Sequence, residues 1–163
     1  MPSVFLNEED ILFVNEDWVA RLEHEAQQSE KRRARLCMHM SGEDSVHEMV
    51  IAFCQDALVG PHKSLDKTES LLVIKGELEL VIFDDEGSVL ERTVMGAFGS
   101  GRPYSVRLAA SPWYTYIPLS ESLVIHETTR GPFRPEDTAL PQWAPDGEGE
   151  LQDFVDGLRH GRS

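Results

Sequence analysis

Cysteine is almost missing from this chain: Cys37 and Cys54 are its two, with no C-x-x-C spacing. That excludes a disulfide framework and a zinc knuckle and leaves two buried free thiols on strands as the reading. Basic residues are scarce as well, 15 against 29 acidic, for a formal net charge of −14. A field of that sign repels phosphate backbones, so no nucleic acid is expected among the partners. No stretch approaches the ~20 apolar residues of a membrane-crossing helix, and the first ten residues lack a basic segment followed by a long apolar run. The expectation is a soluble, cytoplasmic protein with no membrane partner. Internal repeats and low-complexity tracts are absent too, and 163 residues suit one domain with a sizeable core rather than two.

What is present is a succession of short apolar runs separated by turn residues. Arg35–Met40 and His47–Cys54 flank a Ser41-Gly-Glu-Asp-Ser45 turn and read as a hairpin. Leu71–Ile74 and Leu78–Phe83, hinged at Lys75-Gly76-Glu77, read as a second hairpin, with strands 70–75 and 77–83 paired through Gly76. Val89–Val94, Ser105–Leu108, Trp113–Pro118 and Ser122–Thr128 follow as strands, with residues 97–104 a Gly- and Pro-broken loop. Many short strands with turns between them predict a mainly β fold, an antiparallel sandwich or barrel.

Two segments depart from that texture. Asn15 caps a predicted helix over 16–32, on which Trp18, Leu22 and Ala26 repeat at helical spacing. The Lys31-Arg32-Arg33-x-Arg35 cluster at its end reads as cations complementing a helix C-terminus rather than as an anion or nucleic-acid patch. Near the other end, Pro135, Pro141 and Pro145 punctuate an acidic stretch, after which Leu151, Phe154, Val155 and Leu158 have the spacing of an amphipathic helix. The organisation expected is an N-terminal strap and helix over 1–33, a β-barrel over 34–132 and an acidic Pro-rich tail with a helix over 133–163.

The chemistry concentrates in Gly60-Pro-His62-Lys-Ser64-Leu-Asp-Lys-Thr-Glu69, just ahead of the Gly76 turn. In a period-2 strand Glu69 shares a face with Leu71 and Val73, so its carboxylate is aimed at an interior and needs a partner there. His62 and Ser64 share a face of the preceding run, six residues separate Glu69 from Gly76, and Tyr114 comes from a strand distant in sequence.

That spacing resembles the first motif of cupins, in which an H-x-H pair and a following Glu bind a divalent metal and the Gly makes the next turn. The flanks narrow the resemblance. Arg33-Ala-Arg35-Leu-Cys-Met-His39, Glu48-Met-Val-Ile-Ala52, Gly60-Pro-His62, Val81-Ile-Phe-Asp-Asp-Glu-Gly87, Pro112-Trp113-Tyr114-Thr115, Glu127 and Gly131-Pro-Phe133 follow the order seen in the WbuC-type cupin metalloproteins, over roughly residues 33–145. Those proteins are associated with surface-polysaccharide gene sets. The resemblance implies a cupin-type barrel and places metal or ligand residues at His62, Ser64, Glu69 and Tyr114, with Trp113 beside them. This chain departs from the pattern twice, because Ser64 stands at the second His position and Tyr114 at the last.

Two function classes therefore stay open. In one, a cupin pocket with a degraded metal cage uses His62, Ser64, Glu69, Tyr114 and Trp113 to bind a small polar molecule, carbohydrate-related by the resemblance. In the other, a metal-dependent enzyme of oxygenase or isomerase type holds its ion with His62, Glu69 and a recruited His39. The cofactor expected from the missing ligands is a divalent transition metal (Fe, Zn, Ni or Mn) at low occupancy, or none. A third reading, an assembly protein docking through its tail or helix, has only the acidic tail in its favour. A homodimer is expected, since pairing sheets edge to edge relieves open edge strands.

Overall fold

The computed structural model describes residues 3–109 and 112–161, so the first two residues of the strap and the last two of the tail lie outside it. Eleven strands and two helices run in the order β1 (Val4–Leu6), α1 (Glu16–Gln28), β2 (Arg33–Cys37), β3 (Val46–Cys54), β4 (Lys63–Ser64), β5 (Glu69–Lys75), β6 (Glu77–Phe83), β7 (Val89–Gly96), β8 (Ser105–Leu108), β9 (Trp113–Pro118), β10 (Ser122–Arg130), β11 (Thr138–Ala139) and α2 (Glu148–His160). A six-stranded sheet has the order β1-β2-β3-β10-β5-β8, and a three-stranded sheet the order β7-β6-β9. The short pair β11-β4 is stitched to the second sheet by a bridge between His62 and Tyr114. Every pairing is antiparallel except β1 with β2.

Alternation along the strands builds three apolar layers. On the inner faces Ile51, Phe53, Leu71, Val73, Leu78, Leu80, Tyr114, Tyr116, Leu123 and Ile125 form the barrel core. Their sequence neighbours Val50, Ala52 and Val124 point the other way and meet Leu22 and Ala26 of α1. On the far side Val81, Phe83 and Ile117 are covered by Val155, Leu151, Phe154 and Leu158 of α2. The fold is thus a cupin-type β-sandwich with a helix on each outer face; the strand pattern predicted the antiparallel sandwich or barrel and the resemblance its cupin type.

Two local expectations are corrected. The runs on either side of Gly76 do not pair with each other: β5 bonds β10 and β8, while β6 bonds β7 and β9. Gly76 is a corner at which the chain leaves one sheet for the other, at φ +79° and packed against the Ser122 carbonyl, and a single linking residue is too short to reverse the strand. Helix α1 stops at Gln28, four residues earlier than expected, with Ser29 extended as its C-cap. Arg32 alone serves the helix end, donating to the Gln27 carbonyl at 2.5 Å and forking onto Asp56 at 3.0 Å. Arg33 and Arg35 belong to β2 instead. Cys37 and Cys54 are both free and buried, as read.

Candidate functional site

Register places the polar residues. On the inner face of the six-stranded sheet, Thr129 of β10 lies opposite His47 of β3 and Glu69 of β5, and Glu127 lies opposite Met49 and Leu71. From the facing sheet, Tyr114 and Tyr116 project inward from β9, and the bridge at Tyr114 brings His62 onto the same side, with Ser64 two residues on.

Glu69 is the centre of this group. It is 7% exposed, and its two oxygens accept separate hydrogen bonds, from Ser64 Oγ at 2.7 Å and from the Tyr114 hydroxyl at 3.0 Å. A buried carboxylate held by two hydroxyls is satisfied without a metal, which is how a strand position can carry it at all. Burial pushes the Tyr114 phenol well above its usual range, and the charges of Glu127 and Glu69 push it further. It is therefore a phenol that donates, not a phenolate that binds a metal. The His62 ring packs on Tyr114 with centroids 4.5 Å apart, and its Nδ1 is 2.9 Å from the Gly60 carbonyl. If Nδ1 carries the proton, Nε2 is left as an acceptor.

Glu127 is the residue that sequence reasoning did not assign a role. Burial first, and then the neighbouring Glu69 charge, raise its pKa to about 7, against partial compensation from Arg35 and Arg33. Its signal in the sequence was the alternation Leu123, Ile125, Glu127, Thr129, which puts a second carboxylate on the face that carries the core.

Other expected residues fall elsewhere. Trp113 points away from Tyr114, as adjacent strand residues must. Its indole donates to Asp85 at 2.8 Å, Lys63 lies 4.1 Å over its ring, and it packs in the layer under α2. It therefore does not join the Glu69 group. His39 lies past the end of β2, stacks on His47 at 3.9 Å and sets Nδ1 3.1 Å from the Glu48 carbonyl. It is not recruited to Glu69. Among the described residues no three His, Cys, Asp or Glu side chains converge, so His62, Glu69 and His39 do not make a metal cage. The residues present do not fit a transition-metal centre at Glu69, because both of its oxygens take hydroxyl protons, from Ser64 and Tyr114. A separate cleft of about 770 Å³ opens between the C-terminal ends of the helices, lined by Arg32, Gln55, Asp56, Glu121 and Arg159, away from this group.

Solved structures similar to this chain share its fold. A protein from Shewanella oneidensis matches with a TM-score of 0.55 at 8% identity, over 69% of this chain and 75% of that one. Oxalate oxidase in complex with the substrate analogue glycolate matches with a TM-score of 0.55 at 12% identity, over 80% of this chain and 67% of that one. CapF matches with a TM-score of 0.51 at 16% identity, over 66% of this chain and 30% of that one. The chain spans 22% of the length of another match, procruciferin. At such identities these neighbours speak for the fold alone. No curated protein matches the chain. Over residues 14–95, from the start of α1 to the end of β7, a family match does hold, and by it the chain belongs to the family described as Domain of unknown function (DUF6016).

Proposed function

We propose that this protein is a cupin-fold binding module of WbuC-like character whose barrel interior holds a small polar, carbohydrate-related molecule without a resident transition metal. The observation that carries the reading is the buried carboxylate of Glu69, both of whose oxygens accept hydroxyl protons, from Ser64 and Tyr114, at the place where the family pattern has imidazoles. Two hydroxyls and a carboxylate order a hydrogen-bonding wall, whereas a catalytic metal of the zinc type needs three strong ligands and an open position. The same reading includes a homodimer.

Elemental analysis tests it. Wild-type protein purified without added metal carries well under one transition-metal ion per chain. The double change Ser64→His with Tyr114→His raises that occupancy, because both positions touch Glu69 and His62 lies beside Tyr114. A full equivalent in the wild type that is lost with His62→Ala would instead establish a resident metal at His62 and overturn the metal-free reading.

A further inference from the structure

The Glu69 group spends its hydrogen bonds on itself, whereas several polar groups on the same inner faces have no partner among the described residues. Tyr116 is 5% exposed, yet among the described residues nothing bonds its hydroxyl. Thr129 Oγ1 is buried and has no hydrogen-bond partner. Glu127 has neither a hydrogen bond nor an ion pair among the described residues, and the same holds for Arg33 and Arg35. All five sit on inward-facing positions. Arg33 lies opposite Phe53 and Arg35 opposite Ile51, both core residues, so the two arginines are on the inner face of β2, half-buried and exposed respectively. Thr129 Oγ1 is thus a buried group that lacks its partner, whereas Arg33 and Glu127 are half-buried and Arg35 is exposed, so their charges stay available to a bound molecule.

The charges show what the partner must carry. Both guanidiniums act on Glu127 and on Tyr116 through space, lowering the pKa of each, yet neither forms an ion pair with Glu127. Two cations and a carboxyl that do not pair with one another thus share the inner face with the Tyr116 and Thr129 hydroxyls. Tyr116 also stands edge-on to Phe53 at 5.5 Å and offset-parallel to Tyr114 at 6.5 Å, so an aromatic surface adjoins these polar groups.

We propose that the barrel binds a small hydroxylated carboxylic acid, of the sugar-acid or polyol-acid class, with Arg33 and Arg35 holding its carboxylate and Glu127, Tyr116 and Thr129 holding its hydroxyls. Arginine forks match a carboxylate and are the strong term of such a contact. Glu127 accepts from hydroxyl donors, and Thr129 and Tyr116 both donate and accept. The proposal rests on the barrel-binding reading and specifies its ligand class.

The test titrates the full chain with D-glucuronate and D-gluconate, and in parallel with neutral D-glucose and D-glucitol, followed by backbone amide NMR. The acids are expected to perturb amides of β2, β9 and β10 and to bind about ten-fold or more tighter than the neutral compounds, the discrimination a charge-assisted pair provides. Arg33→Gln with Arg35→Gln removes that preference and leaves neutral binding unchanged. Thr129→Val keeps the shape, folds at least as well as the wild type because it deletes an unpaired hydroxyl, and weakens binding several-fold. Neutral compounds binding as tightly as the acids would overturn the acid class and leave the barrel reading standing. Acid binding that ignores the arginine changes, or maps away from these strands, overturns the proposal in the same way. No response to any of the four at millimolar concentration overturns both.

Discussion

Tyr114 and Glu127 show how one residue's environment sets its chemistry. Changing Tyr114→Phe keeps the ring in the core and removes only the donor to Glu69, leaving a carboxylate oxygen buried without a partner. The expected cost is about 1–3 kcal/mol, read as a lower urea midpoint with an unchanged slope. Glu127 makes a different prediction. Its carboxyl has a usual pKa of 4.5 and a folded one raised to about 7, so between those values the folded state binds a proton that the unfolded state has lost. Stability therefore falls as pH rises from 4.5 to about 7 and levels off above that. Water that reaches the carboxyl screens part of the effect, so Glu127→Gln should recover about 1–2 kcal/mol at pH 8 and nothing at pH 4. Melting temperatures of wild type and variant across that range check it; parallel curves would sink the assignment.

At the scale of elements, the corner at Gly76 and the cover provided by α2 are the points of leverage. A Cβ at Gly76 would collide with the Ser122 carbonyl, and its φ of +79° is left-handed. Gly76→Ala should cost about 1–2 kcal/mol for the backbone alone, and more once Ser122 has to move. Thermal unfolding shows this as a large drop with no change in the folded spectrum, since the sheets themselves are intact. Helix α2 acts by burial. Val155 is 2% exposed against Val81, Phe83 and Ile117, and each buried side chain of this kind is worth about 1.5–3 kcal/mol. Ending the chain before Glu148 should lower the melting temperature steeply and make the protein bind a dye specific for exposed apolar surface. Unchanged stability would mean the helix merely rests on the sheet.

For the whole molecule, charge and open edges matter most. A net charge of −14 keeps copies apart at low salt, while the three-residue edge strand β1 exposes Leu6 at 69% and Val4 at 41%. Screening at physiological ionic strength shortens the reach of that repulsion to about 8 Å, which lets such an edge pair. Light scattering should give twice the 18.4 kDa chain mass at micromolar concentration, with dissociation favoured as salt is lowered. A strict monomer at all salt concentrations would rule out the dimer.

Strand positions were legible in the sequence because they depend on local alternation. Ser105–Leu108 and Trp113–Pro118 run where the apolar pattern put them, and the inward placement of Glu69 followed from period two, whereas Tyr114 was expected at the site only through the resemblance. The sheet to which each strand belongs was not legible: whether a glycine reverses the chain or bends it into the next sheet depends on contacts such as that between Gly76 and Ser122, 46 positions further on. The cationic cluster shows the same limit. Its composition was visible, but only the early stop of α1 at Gln28 put Arg33 and Arg35 on an inward strand face rather than at a helix end. Alternation also marked Glu127 as inward, but not as unpartnered. By itself the sequence determined which side of its own strand each residue takes. Only the tertiary structure decided which strands face each other, and hence that Glu69 is satisfied by Ser64 and Tyr114 while Glu127 has no donor among the described residues, because pairing a polar group on an inner face depends on neighbours brought in from distant parts of the chain.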